Sequence, residues 1–122
     1  MDTDRIGRIA AWLCVTVIVV LSVLPGDERP HTGFPGQWEH VAAYAGTGLI
    51  ATLAYDSAVR TIIGLCLLSS SLELIQNFVP GRTPAVTDAV FSTAGAAGGA
   101  VLAIFVGMVL ARLAHQGRSQ SK

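Results

Sequence analysis

The sequence predicts an all-α integral membrane protein, a bundle of four transmembrane helices with both termini inside. Three observations carry that prediction. Apolar residues make up 52% of the 122-residue chain and charged residues only 13%, against roughly 25% charge in an average soluble domain. Four apolar stretches are separated by segments rich in Pro, Gly and charge. The basic residues fall mostly on one side once the stretches are threaded through a bilayer. The same composition excludes other classes. Zero formal net charge and few bases argue against a nucleic-acid partner, and the apolar content argues against disorder. The 13 Gly follow no three-residue period, which excludes a collagen-like chain. No domain boundary or repeat interrupts residues 1–122, so one domain is expected.

A transmembrane helix needs about 20 mostly apolar residues. The first span, about 9–24, follows Arg5 and Arg8 and stops at Pro25-Gly26. A helix in water needs a polar face, and this one offers only Thr16 and Ser22. An uncleaved anchor is expected rather than a signal peptide, because Ser22-Val23-Leu24-Pro25 is a poor small-x-small cleavage site. The second span is about 40–55. The third, about 61–79, ends at Pro80-Gly81. The fourth, about 84–113, is expected to start with Thr83 as N-cap and Pro84 at the first helical position. The polar tail, 115–122, is expected to fray.

With the N-terminus inside, Arg5, Arg8, Arg60, Arg112, Arg118 and Lys122 lie inside, and Arg29 and Arg82 outside. This six-to-two bias follows the positive-inside rule. Asp27, Glu28, Glu39, Glu73 and Asp88 gather in the outer half, with two of the three His. That asymmetry marks the outer end as the place to look for function.

Glu73 is the most informative residue. Six residues before the expected end of the third span, it would lie roughly 9 Å below that end. A carboxylate in hydrocarbon costs roughly 2.5–3.5 kcal/mol on insertion scales, so it should face the bundle interior with partners. Gln76 and Asn77 can share its helix face, and Arg82 beyond the Pro80-Gly81 turn is a ready counter-ion. Asp88 suits the positive start of the fourth helix. His40 and Tyr44, four apart, share a face of the second helix beside Glu39. Glu73, His40 and Asp88 are the candidate catalytic groups; Arg82, Gln76, Tyr44 and Glu39 are the candidate binding groups. The structural alternatives are specific. Gln76, Tyr44 and Asn77 can simply join helices by hydrogen bonds, Asp88 can serve the helix start, and Arg82 can be a plain counter-ion. Gly95 and Gly99 form a small-residue pattern that packs helices within a chain or between copies. Cys14 and Cys66 read as small apolar residues. His40, Glu73 and Asp88 lack the close spacing of known zinc motifs, so neither metal nor cofactor is expected.

The stretch Glu39-His40-Val41-Ala42-Ala43-Tyr44, then Glu73-Leu74-Ile75-Gln76, Pro80-Gly81-Arg82, Asp88, Gly95 and Gly99 resembles the VanZ-like family of small bacterial membrane proteins. The resemblance covers about 36–103. It departs from the family pattern at Gly36-Gln37, where an Asp-Lys pair is common, and at Ser92, where an Asn is usual. The Lys change removes an outer cation and the Asn change weakens one helix–helix hydrogen bond. The resemblance implies a multi-pass protein of the bacterial cytoplasmic membrane, in a family whose founding member is linked to low-level teicoplanin resistance. The expected function is an envelope protein whose outer pocket engages a polar or anionic lipid-linked group, with membrane lipid, a cell-wall precursor or a glycopeptide as partner. The rivals are a hydrolase or transferase acting on a lipid headgroup, with Glu73 and His40 as acid–base pair, and a structural component that oligomerises through Gly95 and Gly99.

Overall fold

The computed structural model describes residues 2–120, so Lys122, counted above among the inner bases, lies outside the described residues. The described chain forms four helices: α1 (Thr3–Val23), α2 (Gly36–Tyr55), α3 (Ala58–Gln76) and α4 (Val86–Gln120). Three of them, α1, α3 and α4, are long and apolar enough to cross a membrane. α2 has 20 residues, but the polar first turn around Gln37, Glu39 and His40 and its Gly and Thr residues dilute its apolar character.

The boundaries follow local chemistry. α1 begins two turns earlier than expected, with the Asp2 carbonyl accepting from Arg5 at 3.0 Å. It stops where Leu24 turns extended (φ −64°, ψ 139°), as a residue before proline must. α2 follows Pro35 and ends at Asp56, a left-handed residue (φ 51°). The Ser57 hydroxyl then caps α3 by accepting from the Arg60 N–H at 3.4 Å. α3 ends at Gln76, three residues before the expected 79, where Asn77–Val79 tighten into a turn. One expectation for α4 is corrected. Thr83 and Pro84 do not start it, because the first helical turn forms on the Ala85 carbonyl, which accepts from Asp88 at 2.9 Å. The tail is helical as far as it is described, since α4 continues through Gln120.

Successive helices run antiparallel. The C-terminal ends of α1 and α3 and the N-terminal ends of α2 and α4 therefore share one end of the bundle. At the opposite end the Trp12 indole donates to the Tyr55 hydroxyl at 2.9 Å. α2 packs most extensively on α4, α3 also packs on α4, and α1 lies against α2 and α3 without reaching α4. The interior combines small or polar residues, Thr47, Ser69, Ser92, Ala96 and Ala100, with an apolar cluster of Ile18, Tyr44, Leu65 and Leu72. Large apolar side chains point outward on all four helices, among them Trp12, Leu53, Leu67, Val101 and Phe105. An exterior this apolar fits acyl chains and not water.

The α2–α4 contact depends on glycine. A Cβ on Gly95 would sit 2.5 Å from the Val41 carbonyl oxygen, and one on Gly99 2.0 Å from that of Ala45. Gly95 and Gly99 are buried within one chain. Of the two arrangements their spacing allows, they make the contact within the chain, between α4 and α2.

Candidate functional site

Two connections close the shared end, residues 24–35 and 77–85. They meet where the Gly26 N–H donates to the Pro80 carbonyl at 3.2 Å. A Cβ on Gly26 would lie 2.1 Å from the Gly81 oxygen, and Gly81 itself has φ +72°, so both positions require glycine.

Beneath this closure, side chains from α3 and its following turn satisfy the last carbonyls of α1. Gln76 Nε2 donates to the Ser22 carbonyl at 3.2 Å. Arg82 donates through Nε to Leu24 at 3.1 Å and through Nη2 to Leu21. A cation on these carbonyls also meets the negative end of the α1 dipole. Arg82 makes no salt bridge to Glu73 and instead bonds to α1 through Nε and Nη2, which leaves its Nη1 donors for other partners. Glu73 lies in the last turn of α3, about 4.5 Å and not 9 Å from its end. Its Oε2 accepts the Ala85 N–H at 3.0 Å, so a carboxylate from α3 caps the approach to α4. Asn77 turns back to donate to the carbonyls of Glu73 and Leu74 and stands outside the site.

His40 and Tyr44 share the inner face of α2, as their spacing predicts, with ring centroids 6.5 Å apart. His40 Nδ1 lies 3.2 Å from the buried Ser92 hydroxyl, and its Nε2 lies 3.7 Å from Asp88 Oδ2. The helix–helix hydrogen bond expected to weaken at Ser92 is made here by a hydroxyl. One ligand-type atom from each of His40, Glu73 and Asp88 lies within 4.8 Å of the others. Three helices therefore converge, as the polar residues suggested.

Glu39 faces the 24–35 connection, where the Arg29 guanidinium and the Thr32 hydroxyl both donate to it. The Thr32 hydroxyl, and after it the Arg29 charge, hold the Glu39 carboxyl below its usual 4.5, against the opposing effect of burial. Arg29 and Thr32 escaped sequence reasoning because a loop has no periodicity to place them. Arg29 also supplies a cation where Gly36-Gln37 lacks one.

Two cavities meet among these groups. A polar one of about 290 Å³ is lined by Arg29, His31, His40, Gln76, Arg82 and Asp88, among others. An apolar groove of about 180 Å³ runs between α1 and α2 along Val17, Ile18, Leu21 and Ala43. Arg29, His40, Gln76 and Arg82 line both.

Fold and site define a class: a multi-pass membrane protein with a polar cluster at one end of its bundle. The model of the VanZ/LLP1 family matches residues 29–108, a span that contains every residue of the cluster from Arg29 to Asp88, and the chain belongs to that family. No curated protein and no solved structure matches the chain.

Proposed function

We propose that this VanZ-family protein crosses the bacterial cytoplasmic membrane four times, with both termini inside. In this reading its polar end binds the headgroup of a polar or anionic lipid-linked molecule in the outer leaflet. One observation carries the reading: an apolar groove and a polar cavity share Arg29, His40, Gln76 and Arg82. An amphiphile needs such a junction, with the acyl chain along Val17, Leu21 and Ala43 and the headgroup beside two guanidinium groups. Arginine suits phosphate or carboxylate through charge-assisted, often bidentate hydrogen bonds. Tolerance to teicoplanin would follow if the bound molecule is a lipid-linked cell-wall precursor.

Native mass spectrometry of the purified chain with phosphatidylglycerol and phosphatidylcholine tests this. Preferential retention of the anionic lipid is expected, with a loss of roughly tenfold in Arg29→Ala, the size of one charge-assisted contact. Equal retention of both lipids, or retention unchanged in both Arg29→Ala and Arg82→Ala, rejects the reading.

The proximity of His40 to Glu73 favours one second reading, acid–base chemistry on the bound headgroup. Release of product from a lipid-linked substrate by the purified chain, abolished in Glu73→Gln, supports it. Equal turnover in that variant rejects it.

A further inference from the structure

We infer that His40, Glu73 and Asp88 form a binding site for one divalent transition-metal ion, Zn²⁺ or Mn²⁺. Each residue comes from a different helix, and each offers a ligand atom within 4.8 Å of the other two. The His40 Nε2 to Asp88 Oδ2 distance is 3.7 Å. That is too long for a hydrogen bond, which needs about 2.7–3.2 Å. It is close to the roughly 3.4 Å between neighbouring ligands of a tetrahedral zinc whose bonds are about 2.0–2.1 Å.

Charge points the same way. Two carboxylates sit beside one imidazole at the end of an apolar bundle, Glu73 buried and Asp88 partly so. Arg82, the guanidinium that sequence order offers them, makes a salt bridge to neither and bonds the α1 carbonyls through Nε and Nη2. A divalent cation would balance two carboxylates in full. The surrounding contacts also leave the right atoms for it. Ser92 holds His40 at Nδ1, which orients Nε2 toward Asp88 as outer hydrogen bonds orient metal-bound histidines. The Ala85 N–H fixes Glu73 through Oε2 and leaves the carboxylate further lone pairs for the ion. One imidazole with two carboxylates suits Zn²⁺ or Mn²⁺ over soft or all-oxygen cations. Three protein ligands leave a fourth tetrahedral position. His40 and Asp88 line the polar cavity, so that position opens toward it and can hold water or an anionic oxygen.

Metal content is measured without any lipid, so this inference stands or falls apart from headgroup binding. The tag-free full chain in detergent is loaded separately with Zn²⁺ and Mn²⁺, passed through a desalting column, and read by elemental mass spectrometry. About one ion per chain is expected for at least one metal. His40→Ala and Asp88→Asn should each lower the retained metal by roughly tenfold or more, with helical circular dichroism unchanged. Ser92→Ala should weaken metal affinity by about 10-fold, the usual effect of removing an outer hydrogen bond. A wild-type chain that retains neither metal overturns the inference. So does retained metal in both ligand variants that equals the wild-type amount, which would put the ion on other residues.

Discussion

Protonating Glu39 removes the negative charge that pairs with Arg29 and weakens its two acceptor contacts, and with them the clasp between the 24–35 connection and α2. A carboxylate whose folded-state pKa is depressed stabilises the fold above its unfolded value, and that contribution is lost as pH falls through the folded value. Glu39 is held below 4.5, so the clasp should persist at pH 6–7 and loosen only below about 4.5. Hydrogen exchange across residues 26–34 should quicken in that acidic window in the wild type. In Glu39→Gln it should already be fast at neutral pH and lose the acid-dependent step. A step of equal size in the variant would assign the pH response to another group. Arg82 makes a different prediction. It meets two α1 carbonyls at the end of that helix, and hydrogen bonds to charged groups contribute roughly 1.5–3 kcal/mol. Arg82→Ala should therefore lower stability in detergent by about 2 kcal/mol, read by thermal unfolding. Arg29→Ala removes one partly exposed ion pair with Glu39 and leaves the α1 carbonyls satisfied, so it should lower stability less, by about 1 kcal/mol.

α2 and α4 meet backbone to backbone, and the two helices can approach that closely only where a side chain is missing. Gly99 and Gly98 are adjacent in sequence yet opposite in surroundings. A Cβ on Gly99 would lie 2.0 Å from the Ala45 oxygen and 2.8 Å from the Leu49 nitrogen, while one on Gly98 meets nothing within 4 Å. Gly99→Ala should push the helices apart and cost about 2–3 kcal/mol, at the upper range of overpacking. Gly98→Ala should be neutral or stabilising by up to about 1 kcal/mol, from helix propensity alone. Thermal unfolding of the two variants side by side checks this, and equal Tm values would mean that α2 and α4 do not pack through Gly99. The existence of four helices was legible in the sequence, because Pro25-Gly26, Pro80-Gly81 and the Asp56-Ser57 pair interrupt long apolar runs. The start of α4 was not legible. Thr83-Pro84 has the local signature of a helix start, but the Ala85 N–H is claimed by Glu73 from another helix, and a tertiary partner outranks a local cap.

At the scale of the molecule, the site was legible as a depth and not as a set of partners. Helix spacing placed His40, Glu73, Gln76 and Asp88 near one end, and alternation of direction brought three helix ends together. It could not show that Arg82 would turn to α1 and away from Glu73, since the choice depends on where the last α1 carbonyls lie. Nor could it show the His40–Glu73–Asp88 triangle, because ligands from three helices have no fixed spacing along the chain. The proposed orientation of the bundle rests on charge. Among the described residues Arg5, Arg8, Arg60, Arg112 and Arg118 lie toward the end opposite the site, and only Arg29 and Arg82 lie at it. By the positive-inside rule this bias supports the proposal that the site end faces outside. Cys14 and Cys66 are free thiols, so single-cysteine labelling needs a Cys14→Ala, Cys66→Ala background. In intact bacterial cells a membrane-impermeant maleimide should modify Glu28→Cys, in the connection at the site end, and spare Asp4→Cys until the cells are lysed. The reverse pattern would place the cavity in the cytoplasm, where a lipid-linked precursor exposed on the outer leaflet could not reach it. Labelling of both positions in intact cells would show that α1 does not separate them, and the four-span arrangement would fail with it.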